Sequence, residues 1–303
     1  MIKTLNGKVY AAVLVPRSTG GDLEEAVLVK QLEFLLGAGV RNFVFNGATG
    51  EYCLGSPADL EKCLQLARCI LPADAAYLCG VGSASLRGTL ELGHLSIKAG
   101  AEGLLVPMPY FFPYAQADLT EFVEQVASEL EAPILLYNLP QFTSGLEPAT
   151  VARLLLQIPN VIGIKDSSGA LEIFRTLTKE GIDALRISGS DGALPDALVE
   201  GICDGAISGV ACVLPELLLK LMACSPGSVD FRAARGKLQE LVAKIDALPC
   251  PWGLKALAEA RGIAKATYHQ PLSSARLQQI ADLQAWFNNW IGDLDEVSSP
   301  SCT

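Results

Sequence analysis

The chain repeats one pattern eight times: a short apolar or β-branched run, then a helical pattern. The runs cover residues 9–15, 42–46, 76–81, 103–107, 133–137, 161–165, 185–188 and 205–208. Helical patterns follow at about 22–37, 57–71, 84–99, 117–131, 147–157, 170–180, 191–202 and 214–223. Apolar runs this short read as strands buried on both faces. Parallel strands need a crossover element between them, and a helix after every strand supplies it. Eight is the number that closes a (β/α)8 TIM barrel. A doubly wound open sheet is the competing arrangement, but it often carries a Gly-x-Gly-x-x-Gly turn after its first strand, and none follows residues 9–15 here. Local signals support the helices. Asp22 precedes Leu23-Glu24-Glu25, and Ser56 stands before Pro57 as an N-cap would.

After about residue 225 the strands stop, and three helical patterns follow at 229–246, 252–261 and 273–291. The expected organisation is a barrel over 1–224, a C-terminal three-helix extension over 225–295, and a disordered tail over 296–303. With 303 residues, half of them hydrophobic, the chain can bury a large core. A formal net charge of −10 and the absence of any Lys/Arg run exclude an electrostatic nucleic-acid surface. No apolar run reaches the roughly 18 residues of a membrane helix. The nine cysteines are scattered, odd in number and mostly within apolar runs, which fits reduced thiols in a cytoplasmic protein.

In barrels of this kind the site lies at the C-terminal ends of the strands, so the polar residues there are the candidates. Asn46-Gly47-Ala48-Thr49-Gly50-Glu51 follows the second run, Tyr137 ends the fifth, Lys165 ends the sixth, Gly189-Ser190-Asp191 follows the seventh and Ser208 ends the eighth. A lysine at that position meets apolar surroundings, which disfavour its ammonium form and leave an amine able to attack a ketone. The same position also suits a lysine that simply reaches solvent at a strand end. Only two histidines are present, His94 and His269, and no His-x-His or His-Glu-x-x-His motif occurs, so a metal-dependent mechanism lacks ligands. Asp191 in the Gly189-Ser190-Asp191-Gly192 turn would repel a phosphate, which favours a hydroxylated substrate over a phosphorylated one. Cys53 has no histidine placed to activate it.

Three segments together, Gly47-Ala48-Thr49-Gly50-Glu51, Tyr137-Asn138-Leu139-Pro140 and Gly163-Ile164-Lys165-Asp166-Ser167-Ser168-Gly169, resemble the N-acetylneuraminate lyase/dihydrodipicolinate synthase family of class I aldolases. The resemblance runs from about residue 9 to residue 272. It implies the barrel with C-terminal helices, a homotetramer or homodimer, and no external cofactor. It also implies roles. Lys165 would form the Schiff base with a 2-oxo acid such as pyruvate, and Tyr137 would shuttle protons. Thr49 and the neighbouring backbone N–H groups would hold the pyruvate carboxylate. Gly189 and Ile207 would line the pocket around the imine. Asp191 and Ser208 would bind substrate hydroxyls.

The departures from the family pattern bear on the substrate. The first hydroxyl of the turn, which in the family hydrogen-bonds the tyrosine, is replaced by Ala48. The aromatic that a neighbouring subunit contributes in the synthase corresponds to Phe111, with Tyr110 or Tyr114 as substitutes. The arginine by which the synthase grips its aldehyde's carboxylate corresponds to Phe142. The implied activity is a carbon–carbon lyase that cleaves or forms a 2-oxo acid: a 2-keto-3-deoxy sugar acid, 4-hydroxy-2-oxoglutarate or a sialic-acid-like compound, with an aldehyde as the other partner. Three alternatives stay open: dehydratase activity through the same imine, dihydrodipicolinate synthase activity (disfavoured by Phe142), and a catalytically silent 2-oxo-acid-binding protein.

Overall fold

A computed structural model describes residues 8–292; the expected tail over 296–303 lies outside them. Eight parallel strands close into a barrel in chain order. They are β1 (Val9–Ala12), β2 (Asn42–Phe45), β3 (Ala76–Gly80), β4 (Gly103–Pro107), β5 (Ile134–Asn138), β6 (Val161–Asp166), β7 (Leu185–Ser188) and β8 (Gly205–Ser208). The connecting helices are α1 (Glu25–Gly37), α2 (Pro57–Ile70), α3 (Leu86–Lys98), α4 (Gln116–Glu129), α5 (Pro148–Gln157), α6 (Glu172–Lys179), α7 (Leu194–Val199) and α8 (Pro215–Ala223). Three more follow: α9 (Val229–Ile245), α10 (Trp252–Ala260) and α11 (Ser274–Trp290). No described helix is long and apolar enough to cross a membrane.

The alternation of side chains along each strand sorts the core into layers. Tyr10, Ala12, Val44, Leu78, Leu105, Leu135, Tyr137, Ile187 and Ile207 pack together inside the barrel. Their neighbours Ala11, Phe43, Cys79, Leu104, Leu136 and Ile164 face outward into the layer beneath the helices. Tyr137 pairs with Lys165 across β5 and β6, and Ile164 points outward, so Lys165 points in. The register there is pinned one residue further on. Asn138 Nδ2 donates to Asp166 Oδ1 at 2.9 Å, and Asp166 O accepts from Gly189 N at 2.7 Å. The extension is not a separate layer: residues of α9, α10 and α11 share one apolar core with β1, α1 and α8.

Several boundaries differ from the sequence reading. Asp22 does not cap α1, which begins at Glu25 without a side-chain cap. The segment before it is instead a tight loop: Asp22 N donates to Ser18 Oγ, Asp22 O accepts from Ser18 N, and Leu23 bridges to Arg17. The strands also differ by a few residues. β1 stops at Ala12, whereas β5 and β6 each run one residue past Tyr137 and Lys165 because Asn138 and Asp166 continue the ladder. Ser56 does cap α2. Its hydroxyl accepts from Asp59 N and Asp59 Oδ2 accepts from Ser56 N, a reciprocal capping box with Pro57 in the first turn.

Gly163 lets β7 approach β6 closely. A Cβ there would lie 2.4 Å from the Leu185 carbonyl oxygen and 2.9 Å from its Cα, both backbone atoms that cannot move aside. Gly163→Ala is therefore expected to lower stability by about 1–3 kcal/mol, as overpacking does. Urea unfolding would show this as a lower midpoint with the same slope.

Candidate active site

The C-terminal ends of the strands open into a cavity of about 370 Å³, within the range that holds a small metabolite. Strand-end residues line its floor: Ala48, Thr49, Tyr137, Lys165, Gly189, Asp191 and Ile207. Phe142, half exposed, lines one wall. Seven of those eight come from the turns or ends of the strands, which the barrel topology forces together.

Lys165 is 4% exposed. Burial removes water from its ammonium and lowers the amine to about pKa 7, although the nearby Asp191 carboxylate pulls the other way. Its Nζ lies 4.1 Å from the centroid of the Tyr137 ring. Gly189 makes this placement possible: a Cβ there would fall 2.6 Å from Lys165 Cε and 2.0 Å from Ser167 Oγ. Tyr137 is buried, which pushes its phenol well above the usual range, so it carries its proton at neutral pH. The nearby Ser167 hydroxyl and Ala48 backbone work in the opposite direction, and both residues line the cavity with Tyr137.

The turn after β2 is held in a specific shape. Asn46 and Glu51 both adopt left-handed backbones, with φ of 57° and 54°. Asn46 Nδ2 donates to Gly80 O at 2.7 Å, and Glu51 N donates to Ala48 O at 2.9 Å. Gly50 is required by close approach, since a Cβ there would meet Val13 O at 3.2 Å. Thr49 is left at the cavity floor, next to Gly209. Successive backbone N–H groups and a hydroxyl in such a turn form a concave anion site.

Asp191 is half-buried beside Gly209, on the same flank as Thr49: a Cβ on Gly209 would lie 3.9 Å from Asp191 Oδ2. Burial raises its carboxyl above the usual carboxylate range. Its Oδ2 accepts from Val210 N at 3.1 Å, and the Ser208 hydroxyl also bonds it. Ser208 itself does not line the cavity. Its side chain is buried, alternates away from Ile207, and accepts from Ala211 N at 2.9 Å.

Tyr110 and Phe111 do not line the cavity of their own chain. Tyr110 packs edge-on to Tyr52 with centroids 5.8 Å apart, whereas Phe111 is 83% exposed at φ 85° beside the exposed Phe112. Cys53 has its thiol raised by burial, so it is held as a neutral thiol. Among the described residues, no group of three or more His, Cys, Asp or Glu side chains is placed to hold a metal ion.

Several lining residues were not singled out in the sequence. Ser167 has the same strand parity as Lys165 and Gly163, a signal that was available. Gln141, whose Nε2 donates to Ser167 O at 2.8 Å, and Gly209 lie on loops with no pattern of their own. Val242, Asp246, Cys250 and Leu254 arrive from the C-terminal helices and complete the far wall. The charge inventory of the lining is simple: one cation, Lys165, and two carboxylates, Asp191 and Asp246.

Comparison with known proteins agrees with this geometry. The model of the dihydrodipicolinate synthetase family matches residues 5–289. A 4-hydroxy-tetrahydrodipicolinate synthase of Methanopyrus kandleri is 32% identical over 262 residues, covering 84% of this chain and 86% of the relative. A probable 2-dehydro-3-deoxy-D-pentonate aldolase of Escherichia coli is 28% identical over 277 residues, covering 87% and 91%. Among solved structures, a prophage protein of Escherichia coli from the dihydrodipicolinic acid synthase family, in complex with pyruvate, superposes with a TM-score of 0.86. It is 25% identical, covering 95% of this chain and 99% of that one.

The depressed amine has a measurable consequence. Modification of Lys165 by an amine-reactive reagent, followed by peptide mass spectrometry, should rise with pH through about 7 and level off above it. Asp191→Asn removes the charge that favours the ammonium, so the midpoint should move to lower pH. A midpoint near the ordinary lysine value of about 10.4 would contradict the burial.

Proposed function

The chain belongs to the dihydrodipicolinate synthetase family, and from that premise we propose that it is a pyruvate-dependent class I aldolase working through an imine on Lys165. The observation that carries the reading is a buried lysine with its amine near pKa 7, in register with a buried tyrosine, at the floor of a cavity that Ala48 and Thr49 also line.

The steps follow from that geometry. The neutral amine of Lys165 attacks the C2 carbonyl of a 2-oxo acid while the Thr49 turn holds the C1 carboxylate. The resulting carbinolamine loses water to give an iminium. The iminium draws in the electron pair of the C3–C4 bond as that bond breaks. The C4 hydroxyl proton passes to the Tyr137 oxygen as the phenol gives its own proton to water in the cavity, so the phenol ends neutral and the C4 oxygen becomes the carbonyl of the departing aldehyde. The enamine left on Lys165 takes a proton at C3, and water then releases pyruvate. Condensation is the same sequence reversed. The family hydroxyl missing at Ala48 has a candidate counterpart in Ser167, the residue just past β6, whose hydroxyl lowers the Tyr137 phenol against the effect of burial. No external cofactor enters.

The substrate is a 2-keto-3-deoxy sugar acid, so the aldehyde half is neutral and hydroxylated. Phe142 stands where the resemblance puts the synthase's arginine, and among the described residues no second cation lines the cavity. An aldehyde bearing a carboxylate would meet Asp191 and Asp246 instead of a partner, forgoing charged hydrogen bonds of about 1.5–3 kcal/mol each. The name of the pentonate aldolase relative supports this reading. The synthase reading keeps a claim through the names of other relatives, including the one from Methanopyrus kandleri. In the cell we place the enzyme in the cytoplasm as a homotetramer or homodimer, with the exposed Phe111 and Phe112 covered by a neighbouring subunit.

Incubation with pyruvate and borohydride, read by intact-mass spectrometry, should give one reduced adduct in wild type and none in Lys165→Ala. Absence of an adduct in wild type would end the proposal. Of the aldehydes then offered with pyruvate, glyceraldehyde or glycolaldehyde should be consumed and aspartate semialdehyde should not; the reverse preference would establish the synthase instead. Tyr137→Phe should still form the adduct but turn over about 100-fold or more slower, the usual contribution of a positioned proton donor.

A further inference from the structure

The turn that carries Thr49 is gripped from outside the barrel. Glu51, its last residue, holds a left-handed backbone at φ 54°, which a side-chain-bearing residue keeps only when its surroundings enforce it. Its side chain is held in an ion pair. Glu51 Oε2 meets Lys255 Nζ at 2.5 Å, with side chains only 8% and 7% exposed. Lys255 belongs to α10, in the C-terminal extension. Its Nζ also donates to Thr267 O at 2.9 Å, and Thr267 Oγ1 donates to Arg17 O at 2.6 Å in the loop after β1. His269 Nε2 approaches the same Glu51 oxygen at 3.7 Å. Neither Glu51 nor Lys255 lines the cavity. The preceding residue, Leu254, does, and a Cβ on Gly209 would fall 2.8 Å from Leu254 Cδ1 and 3.4 Å from Thr49 Oγ1. One turn of α10 thus touches the cavity with Leu254 and clamps the anion turn with Lys255.

We infer that Lys255 is a positioning residue for the carboxylate of the 2-oxo acid, acting through Glu51 on the backbone of the Gly47–Gly50 turn. The inference rests on the imine reading of the site. A buried carboxylate that loses its partner must move toward water or take up a proton. Either response releases the left-handed corner at Glu51 and with it the direction of the N–H groups and hydroxyl just before it. Lys165 sits on a different strand and is not held by this pair, so the loss should fall on carboxylate recognition and not on the amine.

That separation gives the test. Adduct formation under cyanoborohydride is titrated with pyruvate and with acetone, which is a ketone of similar size lacking the carboxylate. Wild type, Lys255→Met, Glu51→Gln and Lys255→Arg are compared, each checked for retained fold by circular dichroism. In Lys255→Met and Glu51→Gln the half-saturating pyruvate concentration should rise about 10- to 100-fold, the penalty of an ångström-scale misplacement. The acetone titration should stay unchanged, and Lys255→Arg should recover most of the pyruvate affinity. Where Lys255→Met does not fold, Glu51→Gln reads the same ratio, because it keeps the side-chain shape and removes the charge. Equal losses for both ketones would mean general loosening and would overturn the inference, as would an unchanged pyruvate titration. Wild type that traps no pyruvate would refute the imine reading itself, a result no variant could produce.

Discussion

Keeping water away from one amine is the condition on which this site depends. An ammonium is strongly hydrated, so a lysine whose side chain ends inside a closed barrel is driven toward the neutral form. The features around Lys165 set that exclusion, hold the lysine in place, or limit its effect. The barrel interior supplies apolar walls of Leu135, Ile187 and Ile207. Gly189 vacates the space that the lysine chain occupies. Asn138 and Asp166 hold the ends of β5 and β6 together, so the lysine and the tyrosine ring stay in register. Asp191 limits how far the amine can be pushed, since its carboxylate favours the charged form. The balance of these two opposing influences leaves the amine near pKa 7, close to where both its protonated and its nucleophilic forms are available.

The same desolvation acts on the other ionisable groups in different ways. It raises the phenol of Tyr137, which makes it a proton donor at neutral pH. It raises the thiol of Cys250 at the rim to about 11, which keeps a second potential nucleophile silent beside the lysine. Burial therefore leaves one competent nucleophile in the cavity.

The barrel and its chemical floor were legible in the sequence because both are local in period. A strand of four to six residues followed by a helix is a pattern within some thirty residues, and the end of each strand is where the site must form. Lys165, Tyr137, Thr49, Gly189 and Ile207 lie where that logic puts them. Asp22 misled because a helix-start residue and a loop-forming residue have the same chemistry; the Ser18 hydroxyl decided between them. Ser208 lies off the cavity because it alternates with Ile207 along β8, a parity that its place at a strand end does not reveal. Asp246, Cys250 and Leu254 had no signal at all. They reach the cavity only because α9 and α10 dock on the barrel mouth, and nothing in a helix's own periodicity says which residue its end will present to another part of the fold.

The extension therefore differs from the barrel in kind of contribution. The barrel supplies reactive groups whose positions follow from strand register, and any change in them alters the chemistry. The C-terminal helices supply a wall and a clamp whose positions follow from packing. Residues such as Asp246 and Phe142 on the outer wall can vary without disturbing a strand, because one sits at a helix end and the other on a loop. Lys255 cannot vary so freely, since its charge is buried against Glu51 and either residue alone would be an unpaired charge. The strand-end side of the cavity, with Lys165 and the Thr49 turn, is thereby tied to the fold through the strands and, at Glu51, through the extension, while Phe142 and Asp246 are tied to it only through a loop and a helix end. On the proposed reading, a scaffold divided in this way holds one reaction constant and lets its second substrate change.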